Sequence, residues 1–274
     1  MKFHSIAGHS ALAALLFVTA HLKAQENAAP EVDQAAELAQ KLANPVASLV
    51  SVPFQANYDF GIGVNDAQRF TLNFQPVTPF AISDDWNLIV RTILPIIDAE
   101  SPAPGIASAS GLGDVVQSFF FSPKEPVGGW ILAAGPVFLW PTATDSILGS
   151  EQWGAGPTAL ALKQAGPWTY GALVNQIWSY AGDNSRSEVN ATFLQPFIAY
   201  ITPAKTTISL NAESTYNWVD DQWTVPVNFM IAQMIKLGSM PAQVFVGGRY
   251  YADAPTGGPE WGIRAGLTLL FPAN

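Results

Sequence analysis

The sequence predicts an all-β membrane protein, an up-and-down antiparallel transmembrane β-barrel of about twelve strands preceded by a short N-terminal helix. Three observations predict this fold. Polar and apolar side chains alternate along many segments, charged residues make up only 12% of the chain, and the 9 tryptophans lie near the ends of those segments. Successive side chains of a strand point to opposite faces, so this alternation is typical of a wall between lipid and a wet lumen.

Residues 1–24 are predicted to be a secretory signal peptide. Lys2 precedes a short apolar run that ends at Ala20, and Ala24 is a small residue suited to cleavage, with Ala20 as the second choice. The 3 histidines of the chain all lie in this segment, and the chain has no cysteine. The mature protein is therefore not expected to form a usual zinc site, a Ser-His or Cys-His nucleophile pair or a disulfide, and we expect no metal and no cofactor.

Residues 25–50 are predicted to be a periplasmic leader with a short helix. Pro30 opens the helical stretch, Asn44 and Pro45 close it, and Leu38 and Leu42 fall on one face. Two interpretations stay open: a leader lying under the barrel, and a small plug or docking helix. The first is preferred, because one short helix with an Ala-rich face carries little information.

Residues 51–274 are predicted to form the barrel. In order, the predicted strands cover residues 51–60, 69–80, 86–97, 113–121, 130–141, 153–163, 168–180, 189–202, 207–218, 223–237, 243–253 and 261–271. The alternation is clearest in the ninth, where Asn211 and Glu213 share one face and Leu210 and Tyr216 the other. A register slip of one residue would place such charges in lipid, so the orientation of each clear strand is well determined.

Three predicted strands alternate less clearly. The third places Ile89 and Ile93 on the inward face, and the fifth is apolar on both faces. The seventh has Asn175 and Gln176 side by side, so one of them must break the alternation. The links between strands alternate between short and longer ones, which places both termini and the short turns in the periplasm.

Composition supports a membrane barrel and argues against other classes. Hydrophobic residues make up 49% of the chain, and the mean hydropathy is +0.20. A soluble domain usually carries about 25% charged residues. No apolar run approaches the roughly 20 residues that a spanning helix needs. The net charge of −9 becomes −11 when two lysines, Lys2 and Lys23, leave with the signal peptide, so nucleic acid is not an expected partner.

Several short strings resemble a known bacterial family. They are NPVASL (44–49), DWNL (85–88), RTILP (91–95), AGPW (165–168), NQIWS (175–179), FLQPF (193–197), ESTY (213–216), GGPEWG (257–262) and LLFP (269–272). Together they resemble outer-membrane barrel proteins labelled as transporters, some under a neuromedin-U-like label, and related to barrel proteins of phenol-degradation (meta-cleavage pathway) operons. The resemblance runs from about residue 37 to 272. It implies a location in the outer membrane of a Gram-negative bacterium, with outer-membrane lipid and the barrel-assembly machinery as partners, and it assigns no catalytic residue.

The leading functional hypothesis is a narrow channel or passive transporter for a small solute of aromatic or amphipathic character. The inward-facing residues expected to line the lumen are Asp59, Arg69, Arg91, Asp114, Glu213, Lys236, Arg249, Tyr251, Asp253 and Arg264. Inward apolar positions are expected at Phe120, Leu194, Tyr200, Met230 and Phe245. Because the first and last strands must pair, Asp59, Arg249 and Arg264 are expected to form a charged cluster at the closure.

Two other function classes stay open. One is a non-conducting structural or assembly barrel, in which the inward charges only pair with one another. The other is a His-independent membrane enzyme that would use Asp59, Asp114 or Glu213. We expect no enzymatic activity, because no pair of these carboxylates has the spacing of a catalytic motif.

Overall fold

The computed structural model describes residues 29–271. Helix α1 spans Ala29–Leu42. The strands that follow are β1 (Val50–Ile62), β2 (Ala67–Phe74), β3 (Val77–Ala81), β4 (Trp86–Ala99), β5 (Ala109–Leu112), β6 (Val115–Pro123), β7 (Ile131–Trp140), β8 (Gln152–Ala165), β9 (Trp168–Gly182), β10 (Asn190–Ile201), β11 (Thr206–Ala212), β12 (Ser214–Asn217), β13 (Gln222–Thr224), β14 (Pro226–Leu237), β15 (Met240–Tyr251) and β16 (Trp261–Phe271). Within the described residues, no helix is both long and apolar enough to cross a membrane.

These segments form one closed antiparallel sheet. Four pairs of segments (β2 with β3, β5 with β6, β11 with β12, and β13 with β14) continue each other, so the barrel has twelve strands. The first and last strands close it, with Val50 opposite Phe271 and Phe60 opposite Trp261. The predicted fold class, an up-and-down barrel of twelve strands with a short N-terminal helix, is confirmed.

The barrel has an apolar outside and buried polar groups inside. Phe229 and Val246 face outward and are 50% and 57% exposed, whereas Asn228 and Arg264 face inward and are 0% and 1% exposed. Tryptophans lie near the strand ends, as in Trp86 at the start of β4. This arrangement reverses that of a soluble protein and matches a barrel whose outer face contacts lipid between two aromatic girdles.

The orientation of β10 differs from the prediction. Leu194 and Tyr200 were expected to face inward, but Leu194 is exposed on the outer face, and the Tyr200 ring lies 4.7 Å from that of the exposed Trp168. Phe193 and Phe197 face inward instead and pack against the core. Both faces of this strand are apolar, so hydrophobicity alone did not fix its orientation.

The adjacent amides of β9 are divided between the two faces. Asn175 follows the inward residues of the strand, and Gln176 lies on the outer face. The Gln176 side chain donates to Asn190 Oδ1 at 2.8 Å and accepts from the Thr192 hydroxyl. These bonds satisfy the polar residue that breaks the alternation.

One half of the lumen is filled by a hydrophobic core. Its buried members lie on β4 and β6–β9 and are Ile89, Phe120, Ala133, Leu160, Leu162 and Leu173, joined by Val46 from the N-terminal region. We call these inward faces the apolar half of the lumen. The core explains why β7 is apolar on both faces and why β4 turns Ile89 inward.

Residues 39–49, here called the lumenal segment, lie inside the barrel at its periplasmic end. Val46 is buried in the core, the Asn87 amide donates to Ser48 Oγ at 2.9 Å, and the Gln164 amide donates to the Gln40 carbonyl at 2.8 Å. These contacts bring residues of the predicted leader against inward side chains of the barrel, and the choice between a leader and a plug stays a prediction. The predicted signal peptide, residues 1–24, lies outside the described residues.

Candidate functional site

The polar half of the lumen consists of the inward faces of β1, β2, β11, β14, β15 and β16. Inward positions on these strands carry amide, hydroxyl and charged side chains, because alternation places every second residue inside. Along β1, for example, these residues are Ser51, Gln55, Asn57 and Asp59. Polar groups buried together in this way need partners, and the partners define the site.

A buried ion pair lies at the centre of this half. The Arg264 guanidinium donates from Nη1 and Nη2 to the two carboxylate oxygens of Glu213, each at 2.7 Å. Its Nε donates to Asn57 Oδ1, also at 2.7 Å. A two-pronged arginine–carboxylate contact of this kind is among the stronger hydrogen-bonded pairs. Glu213 lies in the chain between β11 and β12, so this contact crosses the lumen past β14 and β15 to reach β16.

Arg249 extends the cluster with longer contacts. Its Nη2 lies 3.5 Å from Glu213 Oε2, its Nη1 lies 3.8 Å from Asp59 Oδ1, and its guanidinium carbon lies 5.1 Å from the Tyr251 ring centroid. The 3.8 Å contact is too long for a hydrogen bond. Asp59 Oδ1 and Arg249 Nε each lack a hydrogen-bond partner among the described residues. The cluster is therefore tightly bonded at Arg264 and loosely bonded at Arg249.

A glycine allows Asp59 and Arg249 to approach each other. Gly262 pairs with Asp59 on one side and with Arg249 on the other. A Cβ at this position would lie 2.6 Å from Asp59 Oδ1. Any larger residue at this position would displace the Asp59 carboxylate. Gly262 therefore contributes to the site by leaving room for that carboxylate.

The cluster is balanced in charge. Two arginines, Arg249 and Arg264, face two carboxylates, Asp59 and Glu213. Beside them the Asn228 amide donates to Asn211 Oδ1 at 2.8 Å. The closure of the barrel thus brings together Asp59, Arg249 and Arg264, and Glu213 is the partner that holds the two arginines.

Three cavities follow one another along the polar half. Asn57 and Asp59 of β1 line an extracellular vestibule of about 490 Å³, together with Arg69, Arg249 and Tyr251. Gln55 lines a second cavity of about 240 Å³, here called the chamber, and Ser51 lines a third of about 180 Å³. Pro53 lines both of these. Successive inward residues of one strand therefore pass from the vestibule through the ion-pair cluster to the chamber and then to the lumenal segment.

The remaining candidates have separate locations. Arg69 is exposed at the vestibule, whereas Arg91 lines the third cavity and donates to Gln75 Oε1 at 3.1 Å. Asp114, Lys236 and Asp253 also lie outside the cluster, and their expected lumen-lining role stays a prediction. Asp114 binds the loop after β7, accepting from Ser150 N at 2.6 Å. Asp253 is exposed in the loop after β15, and Lys236 is exposed near the periplasmic end of β14.

The uncharged residues of the site were not selected from the sequence. Asn57, Gln55 and Gln243 belong to the site, but the candidates selected from the sequence for it were charged residues and Tyr251. The alternation of polar and apolar residues places these amides on the inward face. Including inward amides among the candidates would have identified them from the sequence. Within the described residues, no group of three or more His, Cys, Asp or Glu side chains is placed to hold a metal ion.

Comparisons with known proteins concern the fold. No protein-family model matches the chain, and no curated protein matches it in sequence. The structure is similar to an outer-membrane channel from Pseudomonas putida F1, with a TM-score of 0.61 and 16% identity over 81% of this chain and 94% of that one. It is also similar to the NanC porin, with a TM-score of 0.53 and 12% identity over 80% and 98% of the two chains. The chain thus has the fold of bacterial outer-membrane channels and porins, and its apolar outer belt agrees with a location in the outer membrane.

Proposed function

We propose that the protein is a narrow outer-membrane channel that passes a small solute passively along the polar half of its lumen. The observation that carries this proposal is the succession of three cavities along β1, with the ion-pair cluster beside the vestibule. A barrel of this size is already narrower than porins of 16 strands or more. The hydrophobic core narrows it further, so a solute would pass on one side only.

The vestibule supports a solute of mixed character. Ile106, Ile147 and Leu148 line it together with Arg69 and Arg249, so an apolar body and a polar group would both find contacts there. The sequence resemblance to barrel proteins of phenol-degradation operons favours an aromatic solute, and that relation is part of the proposal. Outer-membrane lipid around the apolar belt and the barrel-assembly machinery during biogenesis are the proposed partners.

A structural barrel is the second candidate function. The observation that favours it is the burial of Arg264 in a two-pronged bond with Glu213, which holds β16 to the strand formed by β11 and β12. We do not propose an enzyme. Of the three carboxylates considered for catalysis, Glu213 is bonded to Arg264 and Asp114 to Ser150, and the Asp59 carboxylate lies beside Arg249.

Conductance of the purified protein in a planar lipid bilayer tests the channel proposal. We expect discrete steps of small conductance, because the route is confined to one half of the lumen. A variant lacking residues 39–49 should conduct more, since the lumenal segment lies in the route. A folded barrel that conducts in neither form would favour the structural function.

A further inference from the structure

The chamber differs from the other polar regions of the lumen because none of the residues that line it is charged. It lies between the ion-pair cluster and the lumenal segment. Lys41 and Arg91 line the third cavity, and charged residues also line the vestibule. A charged solute in the chamber would therefore have no counter-charge on the lining and would lose hydration without compensation.

The chamber presents hydrogen-bonding groups that the protein leaves unused. Among the described residues, the side-chain amides of Gln55 and Gln195 form no hydrogen bond with the protein. The Gln243 amide has only a 3.9 Å contact with the Met234 sulfur. Thr207 is 7% exposed, and its hydroxyl has no partner. The three amides are half-buried and the Thr207 hydroxyl is buried, so these groups face the chamber and are available to a bound molecule.

Two aromatic rings form apolar walls of the same chamber. Phe197 lines it from β10 and Phe245 from β15. Phe245 pairs with Gly266, where an added Cβ would collide with the tip of the phenyl ring, so the ring lies over the glycine. Aromatic faces beside free amides suit a ring that carries polar substituents.

We propose that the chamber is a binding site for an uncharged, ring-sized solute that carries at least one hydroxyl or amide group. The inference rests on the proposed channel function and narrows its substrate class. An apolar cavity of about 150 Å³ can hold benzene, so the chamber volume of about 240 Å³ suits one ring with substituents. Neutral solutes would bind there, and ions of the same shape would not.

Binding to the full-length barrel in detergent tests this assignment with three probes of the same shape. They are benzyl alcohol, benzoate and benzylammonium, which are neutral, anionic and cationic at neutral pH. Ligand-detected NMR titrations should give benzyl alcohol an affinity at least about tenfold higher than that of either ion, because only the ions lose hydration without a counter-charge. Equal or tighter binding of either ion would overturn the proposal.

Substitutions locate the binding. Gln55→Met and Gln195→Met keep the side-chain length and remove the amide, so both should weaken benzyl alcohol binding by about tenfold. Gln233→Met is the matched control, because this glutamine bonds to Thr206 and does not line the chamber. Gln195→Glu should reverse the preference towards benzylammonium. If the chamber variants behave like Gln233→Met, or if Gln195→Glu keeps the original ranking, the site is elsewhere and the proposal is wrong.

Two further measurements keep this inference separate from the channel proposal. Heat-modified electrophoretic mobility shows that each variant is folded, and conductance reports permeation independently of binding. Selective binding without conductance would support the chamber and contradict the channel. Conductance without selective binding would contradict the chamber alone.

Discussion

The two halves of the lumen are built from the same strand geometry, but one is packed with side chains and the other contains cavities. In the apolar half, inward side chains such as Ile89, Phe120 and Leu173 contact one another and Val46, and they leave a packed core. In the polar half, some inward groups are bonded, such as Arg264 to Glu213, others such as the Gln55 amide have no partner among the described residues, and three cavities remain. An inward position in a barrel therefore does not imply contact with water, because the chemistry of neighbouring inward residues decides whether the lumen packs or stays open.

This difference explains how the open part of the lumen can be much narrower than the interior that twelve strands enclose. The core occupies the side formed by β4 and β6–β9, and the lumenal segment covers part of the periplasmic end. A solute is left with the side that carries the ion-pair cluster.

The largest expected effect is the loss of a core ring in the apolar half. Phe120→Ala should lower the free energy of unfolding by about 3–5 kcal/mol, because it leaves a cavity in a packed region. Conductance should stay unchanged. Urea unfolding in lipid or detergent measures the stability. Phe245→Ala is the control in the polar half and should cost clearly less, since its ring borders the chamber; equal losses would contradict the division of the lumen.

Breaking the buried ion pair should cost nearly as much. Arg264→Ala should destabilise the barrel by about 3–5 kcal/mol, because it leaves the half-buried Glu213 carboxylate without its main partner. The double variant Arg264→Met with Glu213→Leu should recover most of the loss. Arg69→Ala, at the exposed rim of the vestibule, should change stability by less than about 0.5 kcal/mol. A double variant no more stable than Arg264→Ala would show that the unpaired Glu213 carboxylate is not the cause of the lost stability.

The alternation of side chains predicted much of the polar half from the sequence. Asp59, Arg249 and Arg264 lie on strands that must meet when the barrel closes, so their proximity followed from strand order and inward orientation. The partnership with Glu213 did not follow, because it depends on how far a side chain reaches across two strands inside a narrow lumen.

The apolar half was harder to predict. On β10 the inward Phe193 and Phe197 alternate with the outward Leu194 and Ile198, so both faces have the same hydrophobicity and the pattern does not fix the orientation. The position of Val46 was not predictable either. One valine after Pro45 does not distinguish a residue that enters the lumen from one that lies outside it.

Charge on the lipid face should cost a smaller but clear amount. Leu210→Arg, in the middle of a barrel strand, should destabilise the barrel by about 2–4 kcal/mol. Asn211→Arg places the same charge on the neighbouring inward position and should cost less, subject to crowding beside Asn228. Reversible folding of both variants into lipid vesicles provides the comparison, and equal losses would show that the orientation of β11 is wrong.

A smaller loss of stability is expected at the loosely bonded end of the cluster. Arg249→Ala removes contacts of 3.5 and 3.8 Å, so the stability loss should be about 1 kcal/mol. The charge balance changes more, because one arginine then faces two carboxylates and the cluster becomes net negative. Reversal potentials in a salt gradient should therefore shift towards cations. An unchanged ion preference would show that permeating ions do not pass this cluster.

The most direct test of the central claim, a route confined to one half of the lumen, uses single cysteines, because the chain has none of its own. Gln55→Cys places a thiol in the chamber, and Leu173→Cys places one in the hydrophobic core. A water-soluble thiol reagent should react with the first and lower the conductance of the channel, and it should leave the second unmodified with its conductance unchanged. Equal modification of both cysteines, with equal block of conductance, would contradict the account.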